Sequence, residues 1–332
     1  MNRGSEIKIF AGSSGKGFGE KICRSLGISL GQSEVLKFSD GNLFVRVGES
    51  VRDKDVYVVL TIGIRPNDEF TELLFWMDAL KRASAHSVTA IIPYFGYAKG
   101  DKKDEPRVSI RARVCAECIE LAGADRVVTM DLHSPQIQGF FKKPVDHIYA
   151  MPILMETIRR WKLEKPVIVS PDIGFLKQTR KFSEALGYPM AVGDKVRRGH
   201  DENAKVLEII GEVEGRDCVI VDDFTISGGT LVDLAEGLKE RGARSIRAVL
   251  SHLLITEKGI KRLMGSPIQE LVATDSVENP WVHECSRIRL LSAAPLFAET
   301  IRRIHNRESV SPLFDNLESI EPQARLFMDD DL

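Results

Sequence analysis

Two adjacent acids followed by a glycine pair form the segment of the sequence best suited to chemistry. The stretch VIVDDFTISGGT, residues 219–230, leads from an apolar run through Asp222 and Asp223 to Ser227, Gly228, Gly229 and Thr230. A glycine-rich turn that opens a helix presents backbone N–H groups to an anion, and its two hydroxyls can add hydrogen bonds. Carboxylates suit sugar hydroxyls or a divalent cation instead. The pattern therefore predicts a phosphorylated-sugar site; an acid pair capping a helix above an ordinary turn is the alternative.

The surrounding elements predict an α/β fold with mostly parallel sheets, because short apolar strands alternate with helical segments along the chain. In such sheets, ligands bind beyond the carboxyl ends of the strands, where the acid pair falls. Strands are predicted at 7–10, 56–61, 88–92, 127–130, 167–170, 218–221 and 246–250. Helices are predicted at 68–83, 110–122, 150–161, 175–186 and 230–241.

An internal repeat predicts that this architecture occurs twice. Residues 79–91 read ALKRASAHSVTAI and residues 237–249 read GLKERGARSIRAV, with five identical residues at an offset of 158. A chain of 332 residues is long enough for two domains of about 150 residues each. We therefore expect a duplicated α/β domain joined near 145–165, with domains at 1–150 and 151–302 and a terminal segment at 303–332 that ends in the acidic run MDDDL.

Composition narrows the classes of function. The net charge of −2 gives no overall basic field for nucleic acid. No apolar run reaches the ~18 residues of a membrane span, and the first residues lack the pattern of a signal peptide. We therefore expect a cytoplasmic protein that binds neither nucleic acid nor membrane.

The five cysteines argue against a disulfide framework because their number is odd and they are scattered. Cys115 and Cys118 form a C-x-x-C motif, which can be a redox pair or half of a zinc site. No second C-x-x-C is present, and the motif lies inside a predicted helix. Two ordinary helix residues are therefore the favoured interpretation.

Several long segments resemble the ribose-phosphate pyrophosphokinase family. They are FSDGN (38–42), DALKRASA (78–85), IPYFGYAKGDKKD (92–104), AGADRVVTMDLHSPQIQGFF (122–141), VSPDIG (169–174), DKVRRG (194–199) and the acid–glycine stretch above. The resemblance covers residues 7–313. It implies two phosphoribosyltransferase-like α/β domains, assembly into dimers and possibly hexamers, and Mg²⁺-dependent transfer of the diphosphoryl group of ATP to the C1 hydroxyl of ribose 5-phosphate. It places the nucleotide side and oligomer contacts in the first domain, and ribose 5-phosphate in the second.

The resemblance also implies roles for individual residues. Lys195 and Arg197 match the cations of a catalytic lid, and His133 and Asp172 match a metal-associated pair. The acid pair matches the residues that hold the ribose hydroxyls, and residues 226–230 match the loop for the 5-phosphate. The residues that match the nucleotide site are Phe38, Asp40, Asn42, Lys99, Gly100 and Asp101.

Four residues at these sites depart from the family pattern. Ile226 stands where the family has an acid in the phosphate loop. Lys99 and Gly100 stand where it has arginine and glutamine, and Asn42 stands where it has glutamate. Lysine keeps the charge of arginine but lacks its planar fork for phosphate.

These departures keep other functions open. One is a non-catalytic paralogue that regulates a true synthetase. Another is a diphosphokinase with altered sugar-phosphate or nucleotide specificity. A phosphoribosyltransferase that consumes the product is least favoured, because the nucleotide segments would then have no role.

Overall fold

The computed structural model describes residues 6–197 and 205–313, with side chains described outside 195–197 and 205–207. The chain divides into two compact units. The first runs to Tyr149 and also includes Ser276–Glu278 and the described chain from Ala293 to Leu313. The second comprises Ala150–Asp275 and Asn279–Ser292.

The first unit contains a five-stranded parallel sheet in the order β1-β4-β5-β6-β7, together with an antiparallel hairpin formed by β2 and β3. Its strands are β1 (Ile7–Ala11), β2 (Ser33–Lys37), β3 (Leu43–Val47), β4 (Asp55–Val59), β5 (Ser87–Ile92), β6 (Arg126–Met130) and β7 (Val145–Ile148). Its helices are α1 (Lys16–Leu26), α2 (Pro66–Arg82), α3 (Arg111–Ala122) and α8 (Ala294–His305).

The second unit contains a seven-stranded sheet in the order β10-β9-β8-β11-β12-β13-β14, in which only β10 is antiparallel. Its strands are β8 (Pro166–Ser170), β9 (Met190–Arg197), β10 (Lys205–Ile210), β11 (Asp217–Thr225), β12 (Ser245–Leu253), β13 (Glu270–Thr274) and β14 (Ile288–Leu291). Its helices are α4 (Met151–Arg160), α5 (Leu176–Leu186), α6 (Gly229–Glu240) and α7 (Glu257–Gly265).

The predicted duplication is confirmed by topology, because β8-β11-β12-β13-β14 repeats the order and direction of β1-β4-β5-β6-β7. One hydrogen bond is repeated as well. Ser87 at the start of β5 donates to Asp55 at 2.6 Å, and Ser245 at the start of β12 donates to Asp217 at 2.6 Å. Each serine is also the register partner of its acid across the parallel ladder.

Both sheets are buried on two faces, which explains their continuous apolar strands. In the first unit, Phe10, Leu73 and Trp76 are fully buried between sheet and helices, and Phe10 packs 5.7 Å from the Trp76 ring. In the second unit, Ile220 and Leu234 are fully buried in a separate core. Each unit thus has the apolar interior of an independent domain.

The chain returns to the first unit at its end. Helix α8 packs against α1, where the rings of Phe18 and Phe297 meet edge to face at 5.3 Å. The sequence-based boundary at 302 puts most of this helix in the second domain, whereas the contacts group it with the first. Burial of apolar residues on α8 against α1 is the physical reason.

The predicted α/β class is confirmed, and each predicted strand and helix coincides with an observed one at most of its residues. Gly123 and Gly242 follow the last turns of α3 and α6 with left-handed φ values of 119° and 82°, a conformation that commonly ends a helix. The sequence interpretation missed helices α1, α7 and α8. It also missed seven strands, β2, β3, β7, β9, β10, β13 and β14.

Both cysteines of the C-x-x-C motif lie on α3, as the favoured interpretation expected. Burial and the neighbouring Cys118 raise the pKa of the Cys115 thiol to about 12. A thiol with so high a pKa is protonated near neutral pH and is a poor nucleophile or metal ligand. Within residues 6–197 and 205–313, no helix combines the length and apolarity needed to span a bilayer.

We expect Asp217→Asn to lower the free energy of unfolding by about 2–4 kcal/mol at pH 7, because a buried, charge-assisted network is broken. Asp217 is 3% exposed and accepts hydrogen bonds from Arg244 Nε at 2.9 Å and the Glu164 N–H at 2.9 Å, besides Ser245. The Arg244 guanidinium, more than any other group, lowers the pKa of Asp217. Urea titration at pH 7 measures the loss.

The loss should shrink at pH 3, because the benefit of a lowered carboxyl pKa exists above the unfolded pKa of about 4 and fades below it. Glu212→Gln is the matched control, since Glu212 is exposed and pairs only at the surface with Arg216. This control should cost less than about 0.5 kcal/mol. Equal losses for the two variants would contradict the buried-network explanation.

Candidate active site

The ends of two neighbouring strands position the acids of the second unit. Strands β8 and β11 are parallel partners from Asp217↔Pro166 to Ile220↔Val169, so their carboxyl ends reach the same edge of the sheet. Asp222 and Asp223 lie at this end of β11, and Asp172 follows β8. The structure thus brings Asp172 to the same edge as Asp222 and Asp223, although it lies fifty residues before Asp222 in the sequence. The sequence analysis assigned Asp172 to the metal pair.

Asp222 is under electrostatic strain in the protein alone. Burial of its carboxyl, and then repulsion from Asp223, raise the pKa of Asp222 well above its usual range, and Asp172 adds further repulsion. Local backbone bonds offset part of this cost, because Asp222 Oδ1 accepts from the Asp223 N–H at 2.9 Å. A cation or a set of hydroxyl donors placed here would stabilise the charged form.

Asp172 is held by the turn that begins α5. Its Oδ1 accepts from the Phe175 N–H at 2.9 Å, and its backbone oxygen accepts from Ser170 Oγ at 2.7 Å. The side chain is exposed, which leaves its second carboxylate oxygen accessible to a ligand. The turn therefore orients Asp172 without enclosing it.

The glycine loop has the backbone of an anion cradle. Gly228 adopts φ +70° at the N-terminal boundary of α6, a conformation that strains other residues, and no side chain caps this helix. The Gly229 N–H lies 3.3 Å from Ser227 Oγ. The first N–H groups of a helix lack intrahelical acceptors, so this turn can donate to phosphate oxygens.

The segment between β12 and α7 supports the loop. The N–H groups of Leu254 and Thr256 donate to the backbone oxygens of Thr225 and Ile226, each at 3.0 Å. Gly259 packs so closely that a Cβ on it would lie 3.2 Å from the Ser227 carbonyl carbon. The Ile226 side chain is 43% exposed, so this departure from the family pattern points toward solvent.

Arg262 is a candidate site residue that the sequence interpretation missed. It lies on α7, and its Nη1 is 3.2 Å from where a Cβ on Gly229 would be. Arg262 forms no ion pair with any residue that the structure describes. The only sequence signal is a basic residue in a helix 32 positions beyond the loop, and helix packing alone reveals its position.

The predicted nucleotide residues of the hairpin lie in one tight turn. Asn42 donates from its backbone N–H to Asp40 Oδ1 at 3.0 Å and from its side chain to Oδ2 at 2.7 Å. These bonds lower the pKa of Asp40. Phe38 is 52% exposed at the same turn, with its ring 6.3 Å from Phe44. The turn presents an aromatic face that can stack on a base.

The other predicted nucleotide residues lie in a short 3₁₀ turn, Ala98–Gly100, and the residue that follows it. Lys99 is exposed, Gly100 is buried and Asp101 is half-buried. The hairpin and this turn both belong to the first unit. Their common role in nucleotide binding stays a prediction.

His133 follows a strained turn at the end of β6. Asp131 has φ 38°, unusual for a residue with a side chain, and its N–H donates to the Ile148 oxygen at 3.0 Å. The next N–H, of Leu132, donates to His147 Nε2 at 2.9 Å. This bend exposes His133 beyond the sheet. His133 belongs to the first unit and Asp172 to the second, so their pairing around a metal stays a prediction.

No group of three or more His, Cys, Asp and Glu side chains has the arrangement of a metal site in the described part of the chain. The predicted lid cations, Lys195 and Arg197, lie on β9, and their side chains fall outside the described residues. Residues 198–204 of the predicted lid also lie outside the described chain. The catalytic assignment of the lid is therefore untested.

A cavity of about 680 Å³ in the first unit is lined by none of the residues assigned from the sequence. It lies where β1 leads into α1, beside the β2–β3 hairpin. Glu72 forms a buried part of its wall and accepts from the Ser13 N–H at 2.8 Å and from Trp76 Nε1 at 3.2 Å. These bonds fix the GSSGKG turn against α2.

Two mostly parallel α/β sheets share one five-strand order, and the second carries an acid pair and a glycine loop at its carboxyl edge. This arrangement defines a duplicated protein of the phosphoribosyltransferase-like class. Family patterns agree with this architecture. The N-terminal domain of ribose phosphate pyrophosphokinase matches residues 7–123, and the phosphoribosyl synthetase-associated domain matches residues 188–315.

Individual proteins are similar over nearly the whole chain. Ribose-phosphate pyrophosphokinase of Helicobacter pylori is 43% identical and covers 93% of this chain and 96% of its own. The protein of the same name from Caldanaerobacter subterraneus is 45% identical over 93% of this chain and 98% of its own. The crystal structure of phosphoribosylpyrophosphate synthetase from Mycobacterium smegmatis matches with a TM-score of 0.86 at 34% identity, covering 91% of this chain and 100% of that one. The chain belongs to the ribose-phosphate pyrophosphokinase family.

We expect Asp222→Asn to stabilise the protein at pH 8 by about 0.5–2 kcal/mol, the usual size of such gains where a site holds strained groups. The raised carboxyl pKa means that ionisation costs folding free energy. This cost is absent below the unfolded pKa of about 4 and is complete above the folded pKa, so the gain should vanish at pH 4. Denaturant titrations at the two pH values measure it.

Glu236→Gln, on the exposed face of α6, is the control and should change stability little at either pH. A destabilised Asp222→Asn protein at pH 8 would show instead that the carboxylate is well compensated without a ligand.

Proposed function

We propose that the protein is a ribose-phosphate diphosphokinase. The C1 hydroxyl oxygen of ribose 5-phosphate attacks the β-phosphorus of ATP, the bond between that phosphorus and the oxygen bridging to the α-phosphate breaks, and the hydroxyl proton is released. The products are phosphoribosyl pyrophosphate and AMP. The names of the relatives, at 43–45% identity over most of the chain, support this reaction.

The observation that carries the proposal is the edge of the second sheet. There, an electrostatically strained acid pair lies one loop away from uncapped helix N–H groups. A sugar phosphate has complementary chemistry, with hydroxyls that donate to carboxylates and a dianion that accepts from N–H groups. Asp222 and Asp223 hold the ribose hydroxyls, and Ser227–Thr230 hold the 5-phosphate.

Positioning and charge neutralisation are the main requirements of diphosphoryl transfer, because the protein itself forms no covalent bond. Lys195 and Arg197 supply cations to the transferring phosphates from the predicted lid. Phe38, Asp40 and Asn42 contact the base, and Lys99, Gly100 and Asp101 contact the phosphates. These roles rest on the match of each residue to the family pattern.

The chemistry of the donors fits Mg²⁺ in part. Asp172 has an accessible carboxylate, and oxygen is the ligand that Mg²⁺ prefers; His133 offers a less suitable nitrogen. Two protein ligands are few for a bound metal ion, as expected for Mg²⁺, which would take most of its ligands from water and substrate phosphates. When bound there, the ion neutralises charge on the phosphates of ATP. A cytoplasmic location and assembly into dimers or hexamers stay predictions.

We expect the purified protein to form AMP from ATP, Mg²⁺ and ribose 5-phosphate, and Lys195→Ala to reduce the rate at least 100-fold, because lid cations act on charge that develops in transfer. Chromatographic detection of AMP measures both. No AMP above the variant's background would overturn the proposal. AMP formed only with another sugar phosphate would favour altered specificity, for which exposed Ile226 is the structural reason. No turnover with any acceptor would favour the regulatory paralogue.

We expect Arg262→Ala to raise the KM for ribose 5-phosphate about 10-fold or more, with a smaller change in the KM for ATP, because a charge-assisted contact to phosphate is lost. Lys261→Ala on the same helix is the control, since Lys261 pairs with Glu257 at the surface. Steady-state kinetics with each substrate varied separately measure the effect. A uniform fall in kcat with both KM values unchanged would show that Arg262 does not contact the sugar phosphate.

A further inference from the structure

Gly100 is required for space rather than for backbone conformation. Its φ lies outside the left-handed range, and a Cβ built on it would lie 2.6 Å from Arg111 Nε and 2.8 Å from Arg111 Cβ. Real Cβ atoms essentially never show non-bonded contacts this short. Arg111 therefore occupies the volume that any side chain at position 100 would need.

Arg111 supplies a guanidinium, the group that position 99 lacks in this chain. The family pattern has arginine and glutamine at positions 99 and 100, and this chain has Lys99 and Gly100. Lysine is a point charge, whereas a guanidinium binds two phosphate oxygens at once through its planar fork. Arg111, at the first turn of α3, brings a fork back to the same 3₁₀ turn.

Arg111 is also accessible to a ligand. It is exposed and lines a cavity of about 390 Å³ together with Lys102, Asp104, Glu105, Val108 and Ser109. Although Asp104 and Glu105 share this cavity, the Arg111 side chain forms no ion pair or hydrogen bond with any described residue. An exposed guanidinium that lies beside the 3₁₀ turn without an ion-pair partner among the described residues is suited to an external anion.

We propose that Arg111 binds a phosphate group of the nucleotide substrate and replaces the arginine that the family pattern has at position 99. The proposal rests on the proposed function, since it names a further residue for the same nucleotide. Glycine in place of glutamine at position 100 then accompanies this replacement, because only glycine leaves space for the Arg111 guanidinium.

The test measures AMP formation for Arg111→Ala, Arg111→Lys, Gly100→Gln and the double variant Gly100→Gln/Arg111→Ala. Arg111→Ala should raise the KM for ATP about 10-fold or more and change the KM for ribose 5-phosphate less than about 2-fold, as for loss of one charge-assisted contact. Arg111→Lys should lie between it and the wild type. Arg113→Ala is the matched control, because Arg113 is exposed on the same helix and pairs with Glu117 at 2.7 Å.

Thermal unfolding separates binding from packing. Gly100→Gln should lower Tm because it overfills the site, and the double variant should recover Tm because the space is vacated. If the two substitutions changed Tm additively in the double variant, the inference that Gly100 makes space for Arg111 would be overturned. A KM for ATP within about 2-fold of wild type in Arg111→Ala would overturn phosphate binding and leave Arg111 a packing residue.

Failure of the proposed function is distinguishable from failure of this inference. If the wild type forms no AMP, calorimetric titration with a non-hydrolysable ATP analogue tests whether Arg111 binds the nucleotide. Affinity at least about 10-fold weaker in Arg111→Ala than in wild type supports the contact. Equal affinity, or no binding by either protein, overturns it.

Discussion

The cost of keeping carboxylates together at the end of a buried strand is the constraint on which the candidate site depends. Asp222 is desolvated and repelled by Asp223 and Asp172, because adjacent parallel strands deliver all three acids to one edge. Water cannot relieve this repulsion fully at a half-buried position. A ligand with hydroxyl donors or positive charge relieves it, so the same strain that weakens the protein alone favours substrate binding.

The duplication explains how this edge is supported. Asp55–Ser87 and Asp217–Ser245 tie the amino ends of equivalent strand pairs in the two sheets. The ties lie at the opposite ends of the strands from the ligand edge, where they stabilise without limiting the chemistry. The units differ in their additional hairpins: β9–β10 extends the second sheet, while β2–β3 forms a separate ribbon that presents Phe38. Divergence is thus concentrated in elements outside the shared sheet.

Much of the fold was predictable because buried parallel strands are continuous apolar runs with clear boundaries. The central strands β4, β5 and β11 show this pattern. The β2–β3 ribbon was missed because its strands are partly exposed and mix polar with apolar residues. The sequence predicted neither the bounds of helix α8 nor the unit against which it packs. Helix α8 packs on the first unit through a contact between the Phe18 and Phe297 rings, which lie nearly 280 residues apart in the sequence.

The sequence by itself determined the acid pair, the glycine loop and their order after a strand, because these features are local and their chemistry follows from residue type and spacing. Only the tertiary structure decided which distant cations accompany them. Arg262 approaches Gly229 through the packing of α7 on the loop, and Arg111 fills the space beside Gly100 through the start of α3. Such contacts depend on how helices dock on a sheet, which no local pattern specifies.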